Sequence, residues 1–423
     1  YSIAKKYYEA LLADPGNAQF HLTDPRGASD KSGRTFNNPY QYFFEQMHMD
    51  DAIYADESIY EYPMQQGGGN DGRPYSFGRP SSGGSKAAYP CKSYGQGRIN
   101  PAYFYGIFDP NDMRRDVSIT MTGSNGKGVE KLIPFVPNSK AEGGGLTLNK
   151  WDENRQANPW VAAQRKSGIN GPYMRMSEVY LGYAEVCAAL GDVVTGKQYL
   201  KTVRERSFPQ GLADTDGFIA SFGNDLVRAI IEERGFEYAG EGDRRWTLIR
   251  SGYLPEDIKR IKDMTKAMMD GLATKGYYEF ENGNIISAYI WTKLVDAKTI
   301  YGHRLTAQCP MDKVNDPVLY PGWRGQKDNW EEMGLNYGNS APATNLAIKG
   351  LFEIVSEEEA ASLESQGYAK VNWGIDLVDY RDEYDKYLFW DYDYVSAPIY
   401  LWPFTPNVMA AGGFTNGYGF KQE

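Results

Sequence analysis

The feature that most constrains the fold is a pair of helices predicted between residues 172 and 206. The first carries apolar residues at intervals of three or four positions, which places them on one face of a helix. That face consists of Met176, Val179, Tyr180, Tyr183, Val186, Cys187 and Leu190. Gly191-Asp192 interrupts the pattern, and a second helix follows over about 195–206. Two helices joined by so short a turn predict an antiparallel helical hairpin.

The hairpin is about 34 residues long, which is the length of a tetratricopeptide unit. Other segments also have helical periodicity: 2–12, 220–239, 256–272 and 357–366. Gly240-Glu241-Gly242 is typical of a helix end. Ser356 followed by Glu359 is a capping-box pattern at the start of the last helix. The sequence therefore predicts a mainly α-helical fold of tetratricopeptide-like helix pairs, with helical core blocks at 1–12 and 172–272.

The rest of the chain is rich in glycine, proline and aromatic residues. Long irregular loops are predicted over 20–150 and 276–345, and an aromatic tail over 380–423. Phe, Tyr and Trp make up 14% of the chain, and tyrosine combines a flat apolar face with a polar tip. The aromatic residues of the loops have two interpretations: they form a platform for a ligand, or they pin the loops onto the helices.

Several classes of site lack the residues that they require. The formal net charge is −10, which disfavours nucleic acid because its binding depends on neutralising phosphates. The three histidines and three cysteines have no zinc-ligand spacing. Gly67, Gly69 and Gly72 satisfy G-x-G-x-x-G, but the flanking residues do not predict the strand and helix of a dinucleotide site. No cofactor is predicted and no metal ligand is assigned, although Asp214-Thr215-Asp216-Gly217 is a fragment of a calcium-loop pattern.

Catalysis by carboxylates remains an alternative. A glycoside hydrolase needs two carboxylates beside the scissile bond, and acidic residues are frequent over 50–61 and 379–393. The sequence does not single out a pair, and it contains no G-x-S-x-G nucleophile motif. No segment reaches the roughly 18 apolar residues of a transmembrane helix.

The densest charged segment lies between residues 232 and 250. It contains Glu232, Glu233, Arg234, Glu237, Glu241, Asp243, Arg244, Arg245 and Arg250. One interpretation is a binding cluster for an anionic ligand. The other, which we favour, is a structural ion-pair network that locks this helix to the turn after it, because the forked donors of arginine suit bidentate pairing with glutamate.

Three ordered blocks of the sequence resemble motifs of the SusD/RagB family. Residues 173–186, YMRMSEVYLGYAEV, are similar to its R-x-x-E-x-x-L-x-x-A-E-A helix. Residues 199–206, YLKTVRER, follow like its L-N-x-V-R-x-R segment. Residues 230–250, IIEERGFEYAGEGDRRWTLIR, are close to its E-R-x-x-E-F-x-x-E-G-x-R-W block, with Thr247 where Asp is usual. Lys150-Trp151 and Tyr400-Leu401-Trp402-Pro403 also fit the family pattern.

The resemblance implies one SusD-like domain over 1–423, with helix pairs supporting long irregular loops. Such proteins are nutrient-binding lipoproteins of the outer membrane of Gram-negative bacteria. They are lipid-anchored at the cell surface, capture a glycan or sometimes a peptide, and deliver it to a SusC-like TonB-dependent transporter without catalysis. The lipid-bearing cysteine and the first helical repeats of the family have no counterpart here, so we expect an N-terminal part to be absent from this chain.

The resemblance identifies scaffold blocks but no binding residue, so candidates for the site come from the loops. Sugar rings stack on aromatic planes, and their hydroxyls pair with polar side chains. The candidate ligand-binding residues are the aromatic Tyr60, Tyr62, Tyr75, Tyr89, Tyr94, Trp291, Trp323 and Trp330, with Arg73, Arg79, Asn70 and Asp71 as hydroxyl partners. Trp151, Trp246 and Trp402 are assigned to the scaffold. No catalytic residue is assigned; the predicted function is glycan capture, with a peptide-binding member of the same family or a glycoside hydrolase as alternatives. A helical-repeat scaffold for a protein partner is a further alternative.

Overall fold

A computed structural model describes residues 1–13, 20–24, 39–46, 57–65, 67–68, 77–80, 93, 95–124, 130–135, 145–151, 166–296, 344–382, 393, 396, 400 and 405–413. Helices dominate this part of the chain, and most of its strands are short. The predicted mainly α-helical class is therefore confirmed. Among these residues, no helix is both long enough and apolar enough to cross a bilayer.

The helices in chain order are α1 (Ser2–Ala13), α2 (Pro39–Gln46), α3 (Arg114–Ser118), α4 (Met176–Ala189), α5 (Val193–Ser207), α6 (Thr215–Ala220), α7 (Leu226–Glu237), α8 (Asp243–Ser251), α9 (Leu254–Lys275), α10 (Glu357–Ser365), α11 (Gly374–Asp379) and α12 (Pro406–Gly412), with a π-helical turn at Tyr103–Ile107. The strands are β1 (Ser58–Tyr62), β2 (Ile119–Thr120), β3 (Thr122–Ser124), β4 (Glu130–Leu132), β5 (Thr147–Leu148), β6 (Gly171–Arg175), β7 (Tyr277–Glu279), β8 (Ile285–Ser287), β9 (Tyr289–Asp296), β10 (Thr344–Lys349) and β11 (Ala369–Asn372).

The predicted helical hairpin is formed by α4 and α5. Gly191 has φ of 85° in the turn between them, a conformation that glycine adopts without steric cost. The Asp192 side chain accepts a hydrogen bond from the Thr195 N–H and caps α5. Leu181 and Leu200 are buried between the helices, together with Ile230 of α7. This three-helix core carries the surface described below.

One predicted helix begins later in the structure than expected. Residues 220–239 were expected to be continuous, but α6 ends at Ala220 and α7 begins at Leu226. Gly223 and Asn224 both have positive φ, which breaks the helix, and the Asp225 side chain accepts the Arg228 N–H to start the next one. The end at Gly240-Glu241-Gly242 is confirmed, since both glycines have positive φ.

The prediction of loops from residue 276 is wrong for its described part. Strands β7 and β8 form a hairpin, and β9 lies between β10 and β11, antiparallel to both. The residues of β8 and β9 are largely β-branched or aromatic, a composition that favours strands. Ile286 of β8 and Ile290 of β9 are fully buried, so both sheets contribute to the core. The predicted helix at 357–366 is confirmed as α10, and Ser356 accepts the Glu359 N–H as its cap.

Many aromatic residues of the segment 20–150 lie in the core. Tyr40, Phe44, Phe104 and Tyr105 are at most 1% exposed. The Tyr105 hydroxyl accepts a hydrogen bond of 2.8 Å from the Trp373 indole, joining this segment to the C-terminal third of the chain. The pinning interpretation is confirmed for these residues, whereas Tyr60 and Tyr62 are exposed.

Candidate functional site

A two-stranded antiparallel ribbon presents three tyrosines to solvent. Strand β1 pairs with β6, with Tyr60 opposite Met174 and Tyr62 opposite Gly171. Alternate side chains of a strand point to opposite faces, and Tyr60, Tyr62 and Tyr173 are 59%, 50% and 71% exposed. The Tyr60 and Tyr173 rings are 5.7 Å apart and nearly perpendicular. The ribbon therefore carries an aromatic surface that no described part of the core covers.

This surface continues into a cleft of about 310 Å³, which we call the aromatic cleft. It is lined by Pro172, Tyr173, Arg175, Glu178, Tyr238, Glu241, Gly242, Asp243 and Trp246. The cleft lies where β6 leads into α4 and where Gly242, with φ of 97°, turns the chain into α8. Its volume is at the lower end of the range of about 300–1,000 Å³ for small-molecule sites. A cleft of this size accommodates a short segment of a longer ligand.

Trp246 lies on the wall of the cleft and is 60% exposed. Its assignment to the scaffold is wrong. The inner face of α8 is formed by Thr247 and Leu248, which are buried, and successive residues of a helix are rotated by about 100°. The indole therefore points away from the core. Trp151, in contrast, is fully buried as predicted, and Trp402 lies outside the described residues.

The floor of the cleft rests on a buried network around Arg175. Its Nε donates to Glu241 at 2.9 Å, and Nη1 donates to Glu237 at 2.6 Å and to Glu57 at 2.9 Å. Further Arg175 bonds reach the Ser177 and Tyr40 hydroxyls. Buried charges require partners because desolvation penalises the ionised form. These hydrogen bonds fix Arg175 at the end of β6 and so help to position Tyr173, two residues earlier on the same strand.

Glu237 is the centre of that network. Its carboxylate accepts hydrogen bonds from Arg114, Arg175 and Arg206, at 3.2, 2.6 and 2.6 Å. Burial alone would raise the pKa of Glu237, but Arg206, Arg175 and Arg114 outweigh it and hold the pKa far below its ordinary value. The carboxyl is therefore ionised at neutral pH.

Glu241 and Lys150 complete the network beneath the cleft. Lys150 Nζ donates to Glu241 Oε1 at 2.6 Å. Burial would raise the pKa of Glu241, but Arg175 and Lys150 lower it. Burial lowers the pKa of Lys150 to about 8, although Glu241 opposes the shift.

The charged segment 232–250 forms the structural network that we favoured. Arg234 donates to Asp243 Oδ1 at 2.5 Å, and Arg244 donates to Glu232 at 2.8 Å and to the Ile231 carbonyl at 3.0 Å. These contacts join α7 to α8 across the glycine turn, as predicted. Glu233 is bound by Arg114 and Arg204 inside the core, so these groups hold elements together.

The end of the ribbon is held by a second, smaller set of polar contacts. Asn170 Nδ2 donates to Glu61 at 2.8 Å, and Asn170 Oδ1 accepts the Met64 N–H at 2.8 Å. Partial burial raises the pKa of Glu61, despite the hydrogen bond from Asn170. These contacts keep β1 against β6 and so keep Tyr60 and Tyr62 beside Tyr173.

The structure places three of the candidate aromatic residues. Tyr60 and Tyr62 lie at the surface beside the cleft, while Trp291 lies on strand β9 rather than on a loop and is 7% exposed. Arg79 is also buried. The remaining candidates Tyr75, Tyr89, Tyr94, Trp323, Trp330, Arg73, Asn70 and Asp71 lie outside the described residues. Sequence reasoning did not propose Tyr173 or Trp246 as candidates because both lie within motif blocks that we read as scaffold.

The calcium-loop fragment has a structural role. Asp214 accepts the Gly217 N–H at 2.8 Å and caps α6. Within the described ranges, no group of three or more His, Cys, Asp or Glu side chains has an arrangement that could hold a metal ion.

In comparison with known proteins, a family model matches most of the chain. The family model described as the SusD family matches residues 20–404. A curated relative, SusD-like protein P25 of Formosa agariphila, is 28% identical over 160 residues, which are 38% of this chain and 26% of that protein.

Two of the solved structures to which the chain is similar come from Bacteroides thetaiotaomicron. A SusD homologue is 18% identical with a TM-score of 0.43, over 64% of this chain and 51% of that one. Surface glycan-binding protein A, solved in complex with laminarihexaose, is 17% identical with a TM-score of 0.40, over 60% and 51%. This chain thus spans about half the length of these structures and about a quarter of the curated relative.

Proposed function

This chain belongs to the SusD family, and from that membership and the aromatic cleft we propose that it captures a glycan at the cell surface without catalysis. The observation that carries the proposal is the exposure of Tyr173 and Trp246 on the walls of one cleft. Large exposed aromatic side chains in a concave surface are typical of binding sites. The flanking Tyr60 and Tyr62 extend the same surface along the ribbon.

The geometry suits a sugar chain for two reasons. The apolar C–H faces of a pyranose ring stack on aromatic rings, and Tyr173 and Trp246 supply such rings. Sugar hydroxyls need acceptors, and Glu178 and Asp243 supply carboxylate oxygens in the same cleft. A chain lying along Tyr62, Tyr60 and Tyr173 would reach Trp246 through the cleft.

The ionisation of Glu241 supports binding rather than hydrolysis by this residue. A glycoside hydrolase needs a carboxyl group whose pKa is raised so that it can donate a proton. Arg175 and Lys150 instead lower the pKa of the Glu241 carboxyl. This carboxylate holds the network together and is unsuited to act as a general acid.

The glycan is then delivered to a SusC-like TonB-dependent transporter, and an N-terminal lipid anchor holds the protein at the outer membrane beside it. Membership in the SusD family supports this part of the proposal. Co-purification of the native lipoprotein with a TonB-dependent transporter, and its cleavage by protease added to intact cells, would test it. Recovery of the protein alone from a protease-protected compartment would refute it.

Isothermal titration against plant, host and microbial polysaccharides and against peptides tests the binding function. Tyr173→Ala and Trp246→Ala should each weaken glycan binding at least about fivefold, since an aromatic contact contributes about 1 kcal/mol beyond its buried area. Tyr7→Ala is the matched control, because Tyr7 is also 71% exposed but lies on α1 outside the cleft.

Three results would change the conclusion. Shortened chains in the titrated samples would indicate a hydrolase, and saturable binding of peptides alone would indicate the peptide-capturing alternative. Glycan binding that neither Tyr173→Ala nor Trp246→Ala weakens would place the site elsewhere on the protein.

A further inference from the structure

More acidic than basic residues line the aromatic cleft. Among the described residues that line it, three are acidic, Glu178, Glu241 and Asp243, and one is basic, Arg175. The Glu178 and Asp243 side chains are 36% and 20% exposed, so both reach solvent. Arg234 pairs with both carboxylates, at 3.4 and 2.5 Å, but it is only 5% exposed and lies behind them. A ligand in the cleft therefore meets carboxylates at its surface.

Arg175 has no capacity left for an anionic ligand. A guanidinium carries five N–H donors, and those of Arg175 are engaged by Glu241, Glu237, Glu57 and the Ser177 and Tyr40 hydroxyls. The side chain is 1% exposed. To bind a carboxylate or sulfate, it would have to give up a buried ion pair.

The cleft also contains the beginnings of two helices, which ordinarily attract anions because their N–H groups point outward. Glu178 lies in the first turn of α4, and Asp243 lies in the first turn of α8. Acidic side chains in a first turn already complement the helix dipole. The N-termini of α4 and α8, where an external anion would be most stabilised, are therefore occupied by the protein's own carboxylates.

We infer that the aromatic cleft selects uncharged sugar residues and excludes those that carry a carboxylate or a sulfate. The inference rests on the proposed function and specifies its ligand class. Neutral sugars donate hydroxyl hydrogens to Glu178 and Asp243 while their rings contact Tyr173 and Trp246. An anionic sugar in the same position would be repelled by these carboxylates.

Fluorescence quenching of Trp246 tests the charge of the cleft without any glycan. The contribution of Trp246 is the difference between the wild type and Trp246→Phe, which separates it from the other tryptophans. For this contribution, iodide should quench at least twofold less than caesium, after each is normalised to its quenching of N-acetyltryptophanamide. Neutral acrylamide reports how accessible the ring is.

Glu178→Gln should raise iodide quenching of Trp246 and lower caesium quenching. Glu358→Gln, on the exposed face of α10, should change neither. Added NaCl should reduce the difference between the two ions in the wild type, because salt screens exposed charges; this measurement needs no variant. Equal quenching by iodide and caesium would overturn the inference.

Matched ligands test selectivity directly. A neutral polysaccharide that binds should lose at least tenfold in affinity when its C6 hydroxyls are oxidised to carboxylates, and Glu178→Gln should recover part of the loss. An anionic glycan whose binding is weakened by Tyr173→Ala would refute the selectivity and leave glycan capture intact. If no glycan binds, glycan capture fails, while the iodide and caesium result still decides the charge of the cleft.

Discussion

At the scale of single residues, the same side-chain type serves opposite purposes in this protein. Trp151 and Trp373 are fully buried, whereas Trp246 is 60% exposed. Tyr105 lies in the core, whereas Tyr173 is 71% exposed. Composition cannot make this distinction, because an aromatic ring gains free energy both by burial in a core and by covering a ligand. The backbone face on which the residue lies decides which of the two occurs.

Charged residues are likewise either buried in the core or exposed at the surface, and Glu237 is the clearest buried example. Glu237→Gln should lower the free energy of unfolding by about 3–5 kcal/mol, because breaking a buried ion pair leaves its partners uncompensated. Here the partners are Arg114, Arg175 and Arg206. Urea denaturation at pH 7 measures the change.

The control for this prediction is Glu358→Gln, which changes an exposed glutamate of α10 in the same way. It should leave the unfolding midpoint within about 0.5 kcal/mol of wild type, as for most surface substitutions. A loss below about 1 kcal/mol in Glu237→Gln would contradict the network as a stabilising unit.

At the scale of elements, the approach of α1 to α4 depends on a glycine. A Cβ atom at Gly182 would lie 2.7 Å from the Tyr8 Cζ atom, too close for an unstrained contact. Glycine in a helix interior costs up to about 1 kcal/mol relative to alanine, so the sequence gives up helix propensity in α4 to let α1 pack. The i, i+4 pattern of 2–12 predicted the helix but not this contact.

Gly182→Ala should therefore have opposite effects in two backgrounds. In the wild type it should destabilise α1 packing by about 1–3 kcal/mol through overpacking. In a Tyr8→Ala background, where the ring is absent, it should stabilise the protein by up to about 1 kcal/mol through helix propensity.

Urea denaturation of the four proteins in this double-mutant cycle gives the coupling between the two positions. Hydrogen exchange of residues 2–13 shows whether α1 detaches. Equal effects of Gly182→Ala in both backgrounds would show that Tyr8 does not limit the approach.

At the scale of the whole molecule, two arginine–carboxylate networks join elements that are far apart in sequence. The first joins β1, β6, α5 and α7 through Glu57, Arg175, Arg206 and Glu237. The second joins α7, α8 and α9 through Glu232, Arg244 and Asp257. The stability of the whole fold should therefore depend on the ionisation of these carboxylates.

Acid should weaken the fold in a defined pH window. Burial opposes ionisation of Glu232, but Arg244 and Arg260 outweigh it and lower its pKa to about 2. Between about pH 4.5 and 2 the unfolded chain binds more protons at this position than the folded chain, so stability is lost as pH falls through that range. In Glu232→Gln the free energy of unfolding should decrease less steeply as the pH falls, with a slope smaller by up to about 1.4 kcal/mol per pH unit.

Urea denaturation at pH 7, 4.5 and 3.5 measures both curves. For Glu358→Gln, the plot of unfolding free energy against pH should be parallel to that of the wild type over the same range. Parallel curves for Glu232→Gln and the wild type would mean that Glu232 titrates alike in the folded and unfolded states.

The sequence by itself determined the helical hairpin and its glycine turn and the resemblance to the family, and it favoured the structural role of the 232–250 charges, but it did not show that residues 171–175 form strand β6 rather than the start of the first helix. These features follow from residues close together in the chain, through periodicity, capping and the density of opposite charges between residues 232 and 250. The sequence did not reveal the break at Gly223-Asn224 or the strands after residue 276, where local signals for turns and strands compete.

Only the tertiary structure decided the candidate site. Tyr60, Tyr173 and Trp246 are more than 70 positions apart in sequence, and they meet because β1 pairs with β6 and the network around Arg175 holds α7 and its glycine turn against that ribbon. Burial and proximity of this kind arise from contacts between distant elements, which periodicity along the chain does not record.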